Sequence, residues 1–298
     1  LFDRQGDSPY QNENGEDWWD NAHRFQLFAR IGAMMALGQL GLSWKPDIVH
    51  CNDWQTGLIP VFLHNDKHAP ATVFTIHNLA YQGLFSHETF RALGLPDHLW
   101  RFDQLEFHGQ FSFLKGGLVF SDAITTVSPS YAREIRTPEF GYGLDGLLEH
   151  RSHALTGILN GIDNRYWNPK SDQHLDFHYS PDDTSGKAQC RAALQRKLGL
   201  EVNGAPVLGF VGRLVEQKGL DWLLEALPAL LEKGCQFAIL GSGEARYQQA
   251  LQNLARDWPE QLSLTLGYNE ALAHEITAGA DIFLMPSRFE PCGLNQMY

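Results

Sequence analysis

Short apolar runs alternate with amphipathic stretches along most of this chain, and that beat restricts the fold more than any other feature. The runs are 47–51, 71–76, 123–127, 206–211, 237–240, 262–266 and 282–285, and they read as buried strands. Helical spacing marks 17–42, a stretch through Leu58, Val61 and Phe62, then 111–120, 187–198, 220–231, 245–255 and 272–278. In the first of these, Phe25, Phe28, Ile31, Met34 or Met35 and Leu40 form the expected apolar stripe. In 220–231, Leu220, Leu223, Leu224, Leu227, Leu230 and Leu231 fall at helical steps, and Gly234 suits a C-cap. Such alternation predicts parallel sheets covered by helices on both faces. A polar, loop-rich stretch near 164–186 separates two such sets. The expected class is therefore α/β, with two doubly wound domains at 1–157 and 158–298.

Length agrees with that division, because 298 residues suit two domains of roughly 150 each. Asp plus Glu number 35 against 23 Lys plus Arg, a formal charge of −12. This excludes a broad nucleic-acid or anionic-membrane face, which would need to be basic. It leaves room for one small anionic ligand, since a few cations can focus a local field. Four cysteines lie far apart without a CxxC, giving neither metal spacing nor a disulfide framework, so a reducing cytoplasm is expected. No apolar run approaches the ~20 residues of a membrane span, and no signal-peptide pattern opens the chain. The chain starts at Leu1 and stops at Tyr298 just after a Gly-rich turn, and both ends read as cut.

Open α/β sheets bind ligands beyond the carboxyl ends of their strands. The segment Gly209 to Gly219 is the most informative there. A strand ends in Gly212, the backbone turns, and Arg213 and Lys218 flank the start of a helix. Two cations beside free N–H groups make a phosphate or diphosphate receptor; two ordinary solvated cations read as well. A second segment runs from Pro286 to Gln296. Its Glu290 precedes a tight Pro291-Cys292-Gly293 turn and suits sugar hydroxyls, or equally complements a helix N-terminus. His77-Asn78 follows one strand and Asp53 another, where Asp53 caps the next helix or faces a ligand. Tyr268 offers a ring to a nucleobase or fills a strand end. Cys292 has no histidine near it in sequence and reads as no nucleophile. The chain lacks GxxxxGK[ST], a full GxGxxG, HExxH and GxSxG. What remains is a nucleotide or sugar-phosphate ligand in a cleft between two domains.

Seven strings then resemble one family. They are His50 to Gly57, Thr75 to Gly83, Thr125 to Ala132, Leu144 to Leu148, Leu159 to Asp163, Arg213 to Gly219, and Glu290 to Leu294. The chain resembles the bacterial glycogen synthases and plant starch synthases, with two facing Rossmann-like domains (the GT-B architecture), both incomplete here. The resemblance implies that 1–157 is acceptor-side and 158–298 holds the nucleotide-sugar. It gives Arg213 and Lys218 the diphosphate, Glu290 the glucose hydroxyls, His77 and Asn78 the transferred glucose, and Asp53 the reacting sugar or acceptor hydroxyl. Asn160 corresponds to a sugar-site asparagine, Tyr268 to a ring against adenine, and Tyr10 to an aromatic lining the cleft. Gly293, Leu294 and Asn295 match the phosphate turn, and Gly212 and Cys292 join the substrate-binding positions. A Lys-x-Gly-Gly-Leu loop that opens members of the family is absent, as are their C-terminal helices, so this piece alone is expected to be inactive or unstable.

The implied reaction moves glucose from ADP-glucose to the non-reducing end of an α-1,4-glucan (glycogen or a maltooligosaccharide) with retention, and needs neither metal nor cofactor. No nucleic-acid or membrane partner is implied. A two-carboxylate glycosidase is the enzymatic rival, but only Glu290 is a well-placed carboxylate. A non-catalytic glucan-binding or regulatory protein is the rival from another class.

Overall fold

A computed structural model describes Phe2, Pro9, Tyr10, Asn12 and residues 16–298. The chain forms two compact units, Leu1–Asn160 and Gly161–Tyr298.

In the first unit, helix α1 (Asn21–Ala36) precedes strand β1 (Ile48–Asn52), helix α2 (Leu58–Leu63) and strand β2 (Ala71–Ile76). The helix is shorter than the 17–42 expected, because Gly38 and Gly41 turn the chain at φ of 71° and 69°. Its buried face is also not the expected stripe. Ala22, Phe25, Ala29, Ala33 and Ala36 are buried, whereas Phe28, Ile31, Met34 and Met35 are 37–46% exposed, and Leu40, past the helix end, is exposed too. Small side chains let α1 approach α2, where a Cβ on Gly32 would stand 3.0 Å from Ile59.

Next come β3 (Leu84–Phe85), α3 (His87–Ala92), β4 (Glu106–Phe107) and β5 (Gln110–Ser112), with the three strands forming a small antiparallel sheet. This sheet was not expected, since strands of two or three residues show no period. It also claims Phe111, so helix α4 (Phe113–Phe120) starts two residues later than predicted, capped by Ser112 Oγ accepting from Lys115 N at 3.1 Å. The unit closes with β6 (Ala123–Thr126), α5 (Pro129–Glu134), α6 (Asp145–His150) and β7 (Leu155–Gly157).

The main sheet has the order β1-β2-β6-β7, all parallel. One face is sealed: Cys51, Phe74 and Ile124 are neighbours across it, each with no exposure. Helix α4 presses on this face so closely that a Cβ on Gly117 would meet the Phe74 ring at 2.2 Å. The other face is only partly covered by the described residues. Ile48, His50, Asn52, Ala71 and Thr156 are exposed there. A hydroxyl chain crosses it, from His50 Nε2 to Thr75 Oγ1 and on to Thr125 Oγ1, each step 2.6 Å.

The second unit runs α7 (Ser185–Leu198), β8 (Val207–Val211), α8 (Leu220–Glu232), β9 (Gln236–Gly241), α9 (Ala245–Asp257), β10 (Leu262–Leu266), α10 (Glu270–Gly279) and β11 (Ile282–Phe283). Its parallel sheet has the order β10-β9-β8-β11. Here both faces are covered. Leu208, Phe210, Phe237 and Ile239 pack with Leu223, Leu227 and Leu251 of α8 and α9. Val207, Ala238 and Leu240 pack with Leu194, Leu272 and Ile276 of α7 and α10. The stretch 161–184 has no helix and is nonetheless fixed to this unit. Trp167 lies between the rings of His274 (3.6 Å, 9°) and Tyr298 (3.9 Å, 7°), and His274 Nδ1 stands 2.6 Å from Asp172 Oδ2.

Candidate functional site

The second unit builds its candidate site from three adjoining strand exits. Gly212 N–H donates to Leu240 O at 3.0 Å, and Gly267 N–H donates to Gly241 O at 3.1 Å. A Cβ on Gly241 would stand 1.9 Å from Gly212 O, so only glycine permits this approach. The chain after Gly212 makes a short turn, Glu216–Lys218, ending at Gly219 with φ 70°. A Cβ on Gly219 would lie 2.1 Å from Pro286 O. That contact holds the basic turn against the chain leaving β11, and two distant motifs meet there.

At the junction Lys218 Nζ stands 2.5 Å from Glu290 Oε1, and Ser287 Oγ donates to the same oxygen at 2.6 Å. The Lys218 and Glu290 side chains are only 21% and 14% exposed. Arg213 is exposed, with Nη2 donating to Gln217 Oε1 at 3.2 Å. Gln217 O in turn accepts from Arg288 N at 2.9 Å. Asn295 Nδ2 donates to Val211 O at 2.8 Å, which brings the 293–296 turn beside Gly212; Gly293 has φ 73°. Leu294 is exposed on this turn, and Cys292 is a half-buried free thiol. So Gly212, Arg213, Lys218, Glu290 and Asn295 belong to one neighbourhood.

Tyr268 stands apart from that knot at the exit of β10, two strands from β8, a separation of about 10 Å at ordinary strand spacing. Its ring is 84% exposed. The Tyr166 hydroxyl, near the same strand exit, stands 3.1 Å from His174 Nε2. The neighbouring Tyr166 and Tyr268 hydroxyls hold the Glu270 carboxyl below its usual range, and Glu270 pushes the Tyr268 hydroxyl up.

In the first unit, Asp53 follows β1 with φ 55° and ψ −177°, a region that side chains other than hydrogen avoid. It does not cap the helix that follows. Its Oδ1 accepts from His77 N at 2.8 Å, tying the exits of β1 and β2 together. Burial pushes its carboxyl pKa up, against the lowering effect of the His77 and Asn78 backbone bonds and the His77 charge. The His77 ring is exposed, with Nε2 2.9 Å from Asn52 Oδ1. Asn78 Oδ1 accepts from Ala80 N at 3.1 Å and shapes the loop. Tyr10 packs its ring 6.2 Å from Trp54, beside Asp53. Asn160 is half-buried on the chain leaving β7, two residues past Ile158, whose N–H bonds Thr126 O at 2.8 Å. Asp53, His77, Asn78 and Tyr10 thus cluster, while no hydrogen bond among the described residues joins Asn160 to them.

Asn52, Ser287 and Gln217 each orient an assigned side chain. The strand exits at 52–53 and 287–290 mark the first two as positions facing a ligand, but no sequence pattern gives any of the three its partner. Among the described residues no cluster of three His, Cys, Asp or Glu could hold a metal ion, and no helix is long and apolar enough to cross a membrane.

Comparison with known proteins places this architecture among the glycosyltransferases. Residues 205–297 match the family described as glycosyl transferases group 1, and residues 1–150 match the starch synthase catalytic domain. The chain belongs to the starch synthase catalytic domain family. It is 77% identical over its whole length to a glycogen synthase of Marinobacter nauticus and 57% identical to one of Cellvibrio japonicus. The catalytic domain of starch synthase IV from Arabidopsis thaliana, bound to ADP and acarbose, superposes with a TM-score of 0.87 at 36% identity over 98% of the chain. The chain spans 61%, 62% and 62% of those three proteins respectively.

Proposed function

We propose that the whole protein is a glycogen (starch) synthase that transfers glucose, with retention, from ADP-glucose to the non-reducing end of an α-1,4-glucan. The observation that carries this reading is the Lys218–Glu290 pair, 2.5 Å apart beside Gly212 and Asn295, in a chain 77% identical to a glycogen synthase. The difficult step breaks the anomeric C–O bond, and negative charge grows on the departing diphosphate. A cation fixed in advance where that charge develops lowers the barrier. Lys218 and Arg213 are the cations for that place. Glu290 exchanges part of its bond to Lys218 for the hydroxyls of the glucose. The Tyr268 ring takes the adenine face, and the ADP held by the starch synthase IV relative supports that base.

On this reading 158–298 is the nucleotide-sugar domain, and 1–157 presents Asp53, His77, Asn78 and Tyr10 on the acceptor side. Asn160 joins the sugar site from the connecting chain. All four cysteines are free thiols, which supports a cytoplasmic setting. The test is incorporation of radiolabelled glucose from ADP-glucose into glycogen by the full-length protein. Labelled glucan of α-linked product is expected; absence of incorporation with binding intact would leave a glucan-binding protein instead.

A further inference from the structure

Two short stretches of the second unit are zipped together, 217–219 with Lys218 at its centre and 286–288 with Ser287 at its centre. Arg288 N donates to Gln217 O at 2.9 Å, and Gly219 comes so near Pro286 O that a Cβ on it would stand 2.1 Å away. Lys218 and Ser287 therefore reach one carboxylate from fixed places. Lys218 Nζ stands 2.5 Å from Glu290 Oε1, and Ser287 Oγ donates to the same atom at 2.6 Å. Among the described residues no hydrogen bond reaches Glu290 Oε2. The Arg288 guanidinium is engaged elsewhere, by the Asp221 carboxylate and over the Trp222 ring at 4.4 Å.

The direction of the Ser287 bond sets it apart. Ser86, Ser112 and Ser128 each stand at a helix start and accept from the backbone N–H three residues on, at 3.2, 3.1 and 3.0 Å. That is the ordinary structural use of serine at this spacing. Ser287 has Glu290 three residues on and instead donates to its side chain. The bond therefore serves the carboxylate rather than an orphan backbone N–H. Lysine and serine also hold that carboxylate differently. A lysine ammonium rides on a flexible four-carbon stem and can swing to another anion. A serine hydroxyl sits one carbon from a backbone that is pinned here on both sides.

We propose that Ser287 is a positioning residue for Glu290, holding Oε1 while Lys218 is drawn off to the donor diphosphate and so keeping Oε2 for the glucose hydroxyls. The Glu290 side chain is only 14% exposed. Losing Lys218 with no second donor in place would leave a poorly solvated carboxylate unsatisfied, which is costly. With Ser287 retained, the carboxylate keeps one charge-assisted bond and its orientation through the exchange. This inference rests on the reading above, in which Glu290 takes the donor glucose and Lys218 its diphosphate.

The test uses the full-length protein, with affinities measured by titration calorimetry for ADP-glucose and for ADP, which keeps the diphosphate and lacks the glucose. Ser287→Ala is expected to weaken ADP-glucose about tenfold, as for one bond to a charged group, and to change ADP by less than about twofold. In a Glu290→Ala background the same substitution should cost ADP-glucose less than about twofold, because Ser287 acts through that carboxylate. Ser287→Thr, which keeps the hydroxyl, should recover most of the affinity. Unchanged ADP-glucose affinity in Ser287→Ala overturns the proposal. So does an equal loss for ADP and ADP-glucose, an equal loss with and without the Glu290 carboxylate, or a threonine loss as large as that of alanine. Each of those would reduce Ser287 to a residue that only shapes the turn. If wild-type protein binds ADP-glucose but incorporates no glucose into glycogen, the transferase reading fails while the paired affinities still decide the role of Ser287.

Discussion

The two parallel sheets of this chain are finished differently. The β10-β9-β8-β11 sheet is packed on both faces, and every residue of β9 is buried. The β1-β2-β6-β7 sheet is sealed on the Cys51–Phe74–Ile124 side and open on the Ile48–His50–Asn52 side. Their candidate sites differ in parallel. In the second unit, opposite charges neutralise each other on a scaffold of close-packed glycines. In the first, a strained Asp53 accepts from the His77 backbone N–H. In both units the site side chains stand at strand exits and are held by loop bonds.

Five substitutions would break or sharpen that contrast. The largest effect belongs to Gly219→Ala, which places a Cβ on Pro286 O at an unfavourable φ. It should destabilise the second unit by about 3–5 kcal/mol, read from hydrogen exchange in urea, while leaving the first unit's protection unchanged. A direct comparison of the sheets follows. Ile239→Ala, in the doubly packed core, should cost about 2–5 kcal/mol, whereas Ile48→Ala on the open face should stay within about 0.5 kcal/mol. Comparable costs for the two would show that the open face is covered in solution. For the sites, Lys218→Ala in the full-length protein should raise the barrier by about 2–4 kcal/mol, a loss of tens- to a thousandfold in turnover. Near-normal turnover would remove Lys218 from its proposed role.

The smallest effect is a stability gain. Burial raises the Asp53 pKa in the folded state above its unfolded value. The charged form is therefore disfavoured by folding: stability is full below the unfolded pKa and declines as pH rises through the folded one. Asp53→Asn should accordingly stabilise the first unit at pH 7, with the gain shrinking as the medium is acidified below the folded pKa. Thermal unfolding against pH reads it directly, and a gain that grows with acid would reverse the assignment. The same variant should transfer glucose more slowly.

Much of this layout is readable from residue order, and the failures share a cause. Strands of five or six residues, such as 71–76 and 262–266, coincide with the observed elements because apolar runs between turn residues have few other uses. Helix α1 misled because large apolar side chains mark periodicity better than alanine does, yet alanine is what a close helix pair buries. The meeting of Lys218 with Glu290 spans 72 positions, and no local pattern encodes it. The family resemblance, which assigns both residues to one nucleotide-sugar, is the sequence signal for it.

Trp167 carries one more consequence. An indole sandwiched face-on between an imidazole and a phenol loses much of its emission to those neighbours, so this residue should be dark among the eight tryptophans of the chain. Release of the 161–184 stretch would light it. The molecule thereby carries a label-free fluorescence gauge of whether that stretch is still fastened down.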